Sequence, residues 1–199
     1  MATKLNFVKK ARNDIYYGGL RMPNQENKSG VSIDRSHPRD KDDPLIVKKD
    51  ESYYWWQFPY QEKRISKTQP SRSQLTQSSF YSTLWDVEDR IGAMSIISYG
   101  TGEDFKNVVD EIVADLTSLK EEIESSLENM PEGLQSGSTG ELLQERINAL
   151  ESYIGELEGI DLDDAPEVDE ESPTDEEIEE LNEWLDGKIG EVQGCSCDI

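Results

Sequence analysis

The sequence predicts an α+β protein: a small basic β-hairpin or three-stranded sheet, then long α-helices forming an antiparallel helical hairpin or coiled coil, then an acidic disordered tail. Three observations predict it. The stretch from Glu51 to Ile91 gathers Trp55, Trp56 and Trp85 with Phe58, Phe80, Tyr53, Tyr54, Tyr60 and Tyr81, side chains that suit a pleated, half-buried surface. Downstream, apolar residues recur at steps of three and four, the spacing of one helical face. Charge divides along the chain: residues 1–80 carry 15 Lys or Arg against 9 Asp or Glu, and residues 81–199 carry 5 against 34. A mildly basic head on a strongly acidic body suggests divided labour.

Residues 1–43 read as a polar arm with apolar islands at Leu5, Phe7 and Val8, at Ile15 to Tyr17 and at Val31 and Ile33. Gly18-Gly19, Pro23-Asn24 and Ser29-Gly30 are turn signals between them. The arm is expected to be extended, with short strands that a partner or the hairpin must order. Residues 44–72 form the aromatic and basic hairpin. Strand alternation puts Tyr54, Trp56 and Phe58 on one side and Tyr53 and Trp55 on the other. Pro59 ends that strand, Tyr60 to Glu62 turn, and Lys63 to Thr68 return. Leu45 to Val47 is expected as a third strand beside the aromatic one. Gln69-Pro70 stops the return strand, and Ser71 or Ser73 caps a helix starting near Gln74, with Tyr81, Leu84, Val87 or Glu88, Ile91 and Met94 on one face.

Residues 73–160 continue as helices. Phe105, Val109, Ile112, Leu116, Leu119, Ile123, Leu127 and Met130 mark one, which Pro131 and Gly133 end. Ser138 and Glu141 have capping-box spacing before a second helix carrying Leu143, Ile147, Leu150, Ile154 and Leu157. The pair folds back as a hairpin or self-associates as a parallel coil. Residues 161–199 are the acidic tail, with 14 acidic residues and no Lys or Arg between Asp161 and Asp186, a composition that stays solvated and extended. Within it Ser172-Pro173-Thr174 introduces a short amphipathic helix with Ile178, Leu181, Trp184, Leu185 and Ile189 on one face. That face docks back on the bundle or fits a partner's groove.

The chemistry is sparse. Hydrophobic residues make up 34% of the chain and mean hydropathy is −0.75, which excludes a large single core. No run of about 18 apolar residues exists to span a bilayer, so the expectation is a cytoplasmic protein without a membrane partner. His37, the lone histidine, sits in a Ser-His-Pro-Arg loop and reads as a surface residue. Cys195 and Cys197 offer two soft ligands where a structural zinc takes about four, and read as a frayed tail. The carboxylates show no EF-hand spacing, and there is no glycine-rich phosphate loop, nucleophile elbow or kinase motif. A non-enzymatic protein is expected, with no catalytic residues, no metal and no cofactor.

The binding readings are sharper. Lys63, Arg64, Lys67 and Arg72 can neutralise phosphates beside exposed aromatic rings that stack on unpaired bases. Tyr54, Trp56 and Phe58 read as core, whereas Tyr53 and Trp55 stand between core and stacking surface. Ile178, Leu181, Trp184 and Leu185 are the candidate partner-binding residues.

The aromatic ESYYWW strand, SKTQPSRSQLTQS, LWDVEDRI and the later NMPEGLQSGSTGELLQER resemble an uncharacterised family of tailed-bacteriophage proteins across residues 44–150. The resemblance implies a phage origin and no particular mechanism. Lys63-Arg64-Ile65-Ser66-Lys67-Thr68 before a helix is also similar to the small arm-binding domains of phage integrases, whose sheet contacts DNA; no integrase catalytic residues follow. The expectation is therefore a phage-encoded binding protein, a nucleic-acid-binding accessory factor whose acidic helices oligomerise or recruit a host or phage protein. Two alternatives stand beside it: an acidic interaction protein or nucleic-acid mimic that inhibits a host protein, and a structural virion or assembly component. The host cytoplasm is the expected location, with the virion as the other.

Overall fold

The computed structural model describes residues 4–12, 15–16, 31–33, 45–61, 63–169 and 172–197. It is α+β and divides into two compact units, Met1–Asp86 and Val87–Ile199. His37 lies outside the described residues, as do the Gly18-Gly19, Pro23-Asn24 and Ser29-Gly30 turn signals.

The first unit is built on β5 (Tyr53–Gln57), whose aromatic residues favour extended backbone. Pro59 and Tyr60 turn the chain, Tyr60 taking a left-handed φ of 61°, and the Gln61 N–H closes the turn on the Phe58 carbonyl at 3.1 Å. Strand β6 (Lys63–Ser66) returns antiparallel, with Trp55 opposite Ile65 and Trp56 opposite Arg64. The predicted hairpin is thus present. Its neighbours are β1 (Asn6–Val8) and β3 (Val31–Ile33), giving a four-stranded antiparallel sheet in the order β1-β5-β6-β3. The expectation that Leu45–Val47 lies beside the aromatic strand needs correcting. That segment, β4, pairs instead with β2 (Ile15–Tyr16) in a separate two-stranded sheet.

The reason lies in one continuous run of pairing. Asn6, Phe7 and Val8 stand opposite Trp55, Tyr54 and Tyr53. Farther on, the Ala11 N–H donates to the Glu51 carbonyl at 2.8 Å and the Ala11 carbonyl accepts from the Asp50 N–H at 2.9 Å. Beyond that, Ile15 and Tyr16 stand opposite Val47 and Leu45. Residues 6–12 and 15–16 therefore track residues 45–55 in nearly constant antiparallel register, with Asp50 at a φ of 70° where the run bends. The N-terminal arm takes the edge of β5 that β4 would otherwise occupy.

Both faces of β5 are covered. On one, Tyr53 and Trp55 pack on a cluster of Ala11, Val47 and Ile65, with Ile15 and Ile46. On the other, Trp56 and Phe58 are 0% and 2% exposed. After β6, Pro70 is buried and Ser73–Leu75 forms one 3-10 turn. Helix α1 (Ser79–Gly92) starts four residues after Leu75, not near Gln74, because Ser78 is the residue whose Oγ accepts the Tyr81 N–H, at 3.4 Å. Ser71 and Ser73 bond each other instead, at 2.7 Å. The buried side of α1 carries Phe80, Leu84, Val87 and Ile91, with Phe80 taking the place expected for Tyr81.

In the second unit α2 (Gly102–Glu128) opens with a reciprocal capping box between Thr101 and Asp104 and buries Phe105, Val109, Ile112, Leu116, Leu119 and Ile123. A short turn of helix, α3 (Glu132–Gln135), leads to α4 (Ser138–Glu158), which buries Ile147, Leu150, Tyr153, Ile154 and Leu157. The two long helices pack as an antiparallel hairpin, with Lys120 of α2 4.0 Å from Glu151 of α4. Ser138 does not cap α4: it is the first helical residue, and Gly137 at the cap makes no side-chain bond. Gly140 is required here, since a Cβ would fall 1.9 Å from the Gln135 carbonyl oxygen.

The acidic tail also needs correcting. Residues 175–194 form a 20-residue helix, α5 (Asp175–Gly194), with a Thr174–Glu177 capping box. The segment before it is held as well: Leu162 is buried, Lys106 pairs with Asp163, and the Trp184 Nε1–H donates to Asp164 at 2.8 Å. Ala165 packs so closely on α2 that a Cβ at Gly102 would meet its own at 2.3 Å. Composition favours an extended chain, but four apolar residues of α5 (Leu181, Leu185, Ile189 and Val192) find a core to enter, and burial of each at about 1.5–3 kcal/mol outweighs screened surface repulsion. Among the described residues no helix is long and apolar enough to cross a membrane.

Candidate nucleic-acid interface

The hairpin does not present its four sequence-identified cations as one stripe. Lys63 and Arg64 are successive residues of β6 and so point to opposite faces. The Lys63 Nζ lies 3.7 Å from the Trp55 ring centroid, and the Arg64 guanidinium 5.1 Å from that of Phe58. Burial pushes the Arg64 pKa down from its ordinary value. Lys67 is paired with Glu51 at 2.8 Å. Arg72 lies 5.7 Å from the ring of Trp85, which itself leans on Tyr81. Tyr53 and Trp55 are half-buried on the Ala11–Val47–Ile65 cluster, and Lys63 covers Trp55. The rings assigned by sequence to base stacking are thus used in packing, which the sequence had left open.

What the fold brings together is a different set. The pairing of residues 6–12 and 15–16 with 45–55 brings the stretch bearing Lys9, Lys10 and Arg12 alongside the one bearing Lys48 and Lys49, all five exposed. Among the described residues, the acidic members of the same two stretches are Asp50 and Glu51. Glu51 is engaged: its carboxylate accepts from the Lys67 ammonium and, at 2.9 Å, from the Lys48 backbone N–H, interactions that hold its pKa below the ordinary carboxylate range. Sequence reasoning missed these lysines because they fall in two runs about 40 residues apart; the available signal was that each run directly follows apolar residues, Phe7-Val8 and Leu45-Ile46-Val47. On the edge strand β1 of the same stretch, Phe7 packs against Tyr54 of the interior strand β5, with ring centroids 5.0 Å apart. Phe7 is 57% exposed.

The candidate partner-binding residues of the second unit are mostly occupied within it. Leu181 and Leu185 are 5% and 0% exposed, and Trp184 meets Phe105 edge-on at 6.0 Å. Only Ile178 of that set is exposed. Of the two outcomes foreseen for this helix face, docking back is what the chain does.

The surface of that unit is dominated by carboxylate. Residues 87–199 hold 33 Asp or Glu and 5 Lys or Arg, and Arg90, Lys106, Lys120 and Lys188 each reach a carboxylate of their own unit. A cleft of about 350 Å³ between α2 and residues 157–163 is walled by Asp110, Glu158, Asp161 and Asp163 with Lys106. Cys195 and Cys197 are half-buried, and burial, then Glu156 and Glu191, pushes the Cys195 thiol up, away from the reactive thiolate. Among the described residues no group of three or more His, Cys, Asp or Glu is arranged to hold a metal ion.

The chain matches no protein-family model, no curated protein and no solved structure.

Proposed function

We propose that the chain is a phage-encoded nucleic-acid-binding accessory protein whose first unit contacts phosphates and whose acidic helical unit engages a basic protein partner, acting in the host cytoplasm. The observation that carries this reading is the gathering of Lys9, Lys10, Arg12, Lys48 and Lys49 on one exposed edge of the sheet unit. Five exposed cations on two paired stretches can neutralise phosphates and release their counterions on binding. The hairpin cations play a lesser part, since Lys63 and Arg64 are spent on aromatic rings.

Binding of the full chain to nucleic acid, measured by anisotropy across a salt series, tests the reading. The double variant Lys48→Ala, Lys49→Ala is expected to weaken binding to all sequences alike and to reduce the slope of log affinity against log salt by about 0.7–0.9 for each phosphate no longer neutralised. Lys63→Ala is expected to change the slope much less. An unaltered slope in the double variant overturns the assignment.

A second reading is favoured by the charge of the other unit. With 33 acidic residues against 5 basic ones, an excess of 28 negative charges, and with its cations tied internally, the helical unit can occupy a basic nucleic-acid site on another protein, its carboxylates standing in for phosphates. Removing residues 161–199 would not separate the readings, because α5 supplies fully buried residues to its unit. Nucleic-acid binding by the wild-type chain does: it is expected under the first reading and absent under the second, whereas Glu179→Gln, Glu180→Gln and Glu183→Gln weaken binding of a basic protein partner under both and leave phosphate binding intact under the first.

A further inference from the structure

We infer that the ligand of the basic edge is an unpaired nucleic-acid strand, one of whose bases stacks on Phe7; this rests on the proposed nucleic-acid function and names its substrate class. Phe7 lies on β1, the outermost strand of the four-stranded sheet. It is 57% exposed, although a phenylalanine side chain is among those most often buried. It pairs in register with Tyr54, whose half-buried ring sits 5.0 Å away at a tilt of 44°. Tyr54 thus props the Phe7 ring from one side while the rest of it stays open. Farther along the same face of β5, Trp56 and Phe58 are sealed in the core, and the next open ring is Tyr60 in the β5–β6 turn, so within the strands of this face the open aromatic surface lies at the β1 end.

Cations lie on both sides of this ring along the chain. Lys4 precedes Phe7 by three residues and Lys9 and Lys10 follow by two and three, all exposed. At about 3.3 Å per residue, these lie roughly 7–10 Å from Phe7 in each direction. A π-face with phosphate-neutralising groups before and after it is the arrangement that tracks a single strand, since a duplex buries its base faces and offers nothing to stack on. An apolar protein segment would gain from Phe7 but not from the flanking lysines. The bases are recognised through π-faces common to DNA and RNA, so either sugar satisfies the chemistry.

The test uses the full chain with three probes: a short oligothymidine, a short oligouridine and a duplex DNA of equal length. Wild type, Phe7→Leu, Phe7→Trp and Lys48→Ala, Lys49→Ala are compared by anisotropy over a salt series. Wild type is expected to bind at least one single strand about tenfold tighter than the duplex. Phe7→Leu should weaken single-strand binding about tenfold with an unchanged salt slope, the stacking of one base, while its duplex binding stays put. Phe7→Trp should restore single-strand affinity and show tryptophan quenching on binding. The inference fails if Phe7→Leu binds single strands like wild type, or if wild type prefers the duplex. A duplex preference that still depends on Lys48 and Lys49 leaves the nucleic-acid function standing and removes only the stacking site. Absence of binding to all three probes removes both.

Discussion

The two units solve the problem of a poorly hydrophobic chain in opposite ways. The second unit relies on order along the sequence: aliphatic stripes at helical spacing on α2 and α4, and two capping boxes, Thr101–Asp104 and Thr174–Glu177, that satisfy orphan N–H groups locally. The first unit relies on pairings distant in sequence. Its strands are two to five residues long, its core rests on a few large rings, and its N-terminal arm is held by pairing with residues about 40 positions away. Locally encoded helices tolerate a surface of almost uniform negative charge, because the stripe is buried whatever the exposed face carries. The sheet unit tolerates a crowd of lysines only because the backbone ladder beneath them is fixed.

The largest effect that would sharpen this contrast is expected from Trp56→Ala. Trp56 is fully buried, and removing so large a side chain costs about 3–5 kcal/mol. Loss of near-ultraviolet circular dichroism with retained helical signal is the expected result. A loss of helical signal in step would show that the second unit leans on the first. The Trp56 Nε1–H has no hydrogen-bond partner among the described residues, so an apolar replacement of similar shape, Trp56→Phe, should be much milder.

A smaller effect is expected where the arm is tied down. Ala11→Pro removes the N–H that reaches the Glu51 carbonyl and with it one of the two backbone hydrogen bonds that tie the arm here, at a cost of about 1 kcal/mol. Thermal unfolding of the sheet unit should come earlier, and salt-dependent nucleic-acid binding should fall because Lys9, Lys10 and Arg12 are no longer held beside Lys48 and Lys49. Retention of full binding would break the link between ladder and patch.

The smallest effect belongs to the helical unit and to pH. Tyr153 is 1% exposed on α4, and burial, followed by the nearby Glu88 carboxylate, raises its phenol well above the ordinary value. A folded-state pKa above the unfolded one means that the unfolded chain gives up its proton first. Stability is therefore unaffected below about pH 10 and declines as pH rises past it, by at most about 1.4 kcal/mol per pH unit. Urea midpoints of the wild type and Tyr153→Phe should converge in their pH dependence below that point and diverge above it.

Much of the fold is legible along the chain. The turn at Pro59 and Tyr60, the alternation of β5, the stripes of α2 and α4 and their reversal near Pro131 follow from period and local backbone chemistry, which a sequence displays directly. Ser138 has the spacing of a capping box without capping α4, because spacing does not reveal which residue leaves the helix. The tail has a composition that argues for solvation, yet four apolar residues at helical spacing are enough to dock it. For the candidate site, residue types are legible and their grouping is not: Lys63 and Arg64 are adjacent in sequence yet face apart, and Arg12 and Lys49 are far apart in sequence yet lie on paired stretches, next to the Ala11–Asp50 hydrogen bond.

Alone, the sequence determined the fold class, the division of charge and the long helices of the second unit, because each depends on neighbours within a turn or two of helix or strand. Only the tertiary structure decided which short segment would lie beside the aromatic strand. By composition Leu45–Val47 is the more apolar candidate, since Asn6–Val8 begins with a polar residue, yet backbone pairing with residues far along the chain puts Asn6–Val8 there. That choice placed Phe7 on an edge strand and brought the stretch bearing Lys9, Lys10 and Arg12 alongside the one bearing Lys48 and Lys49.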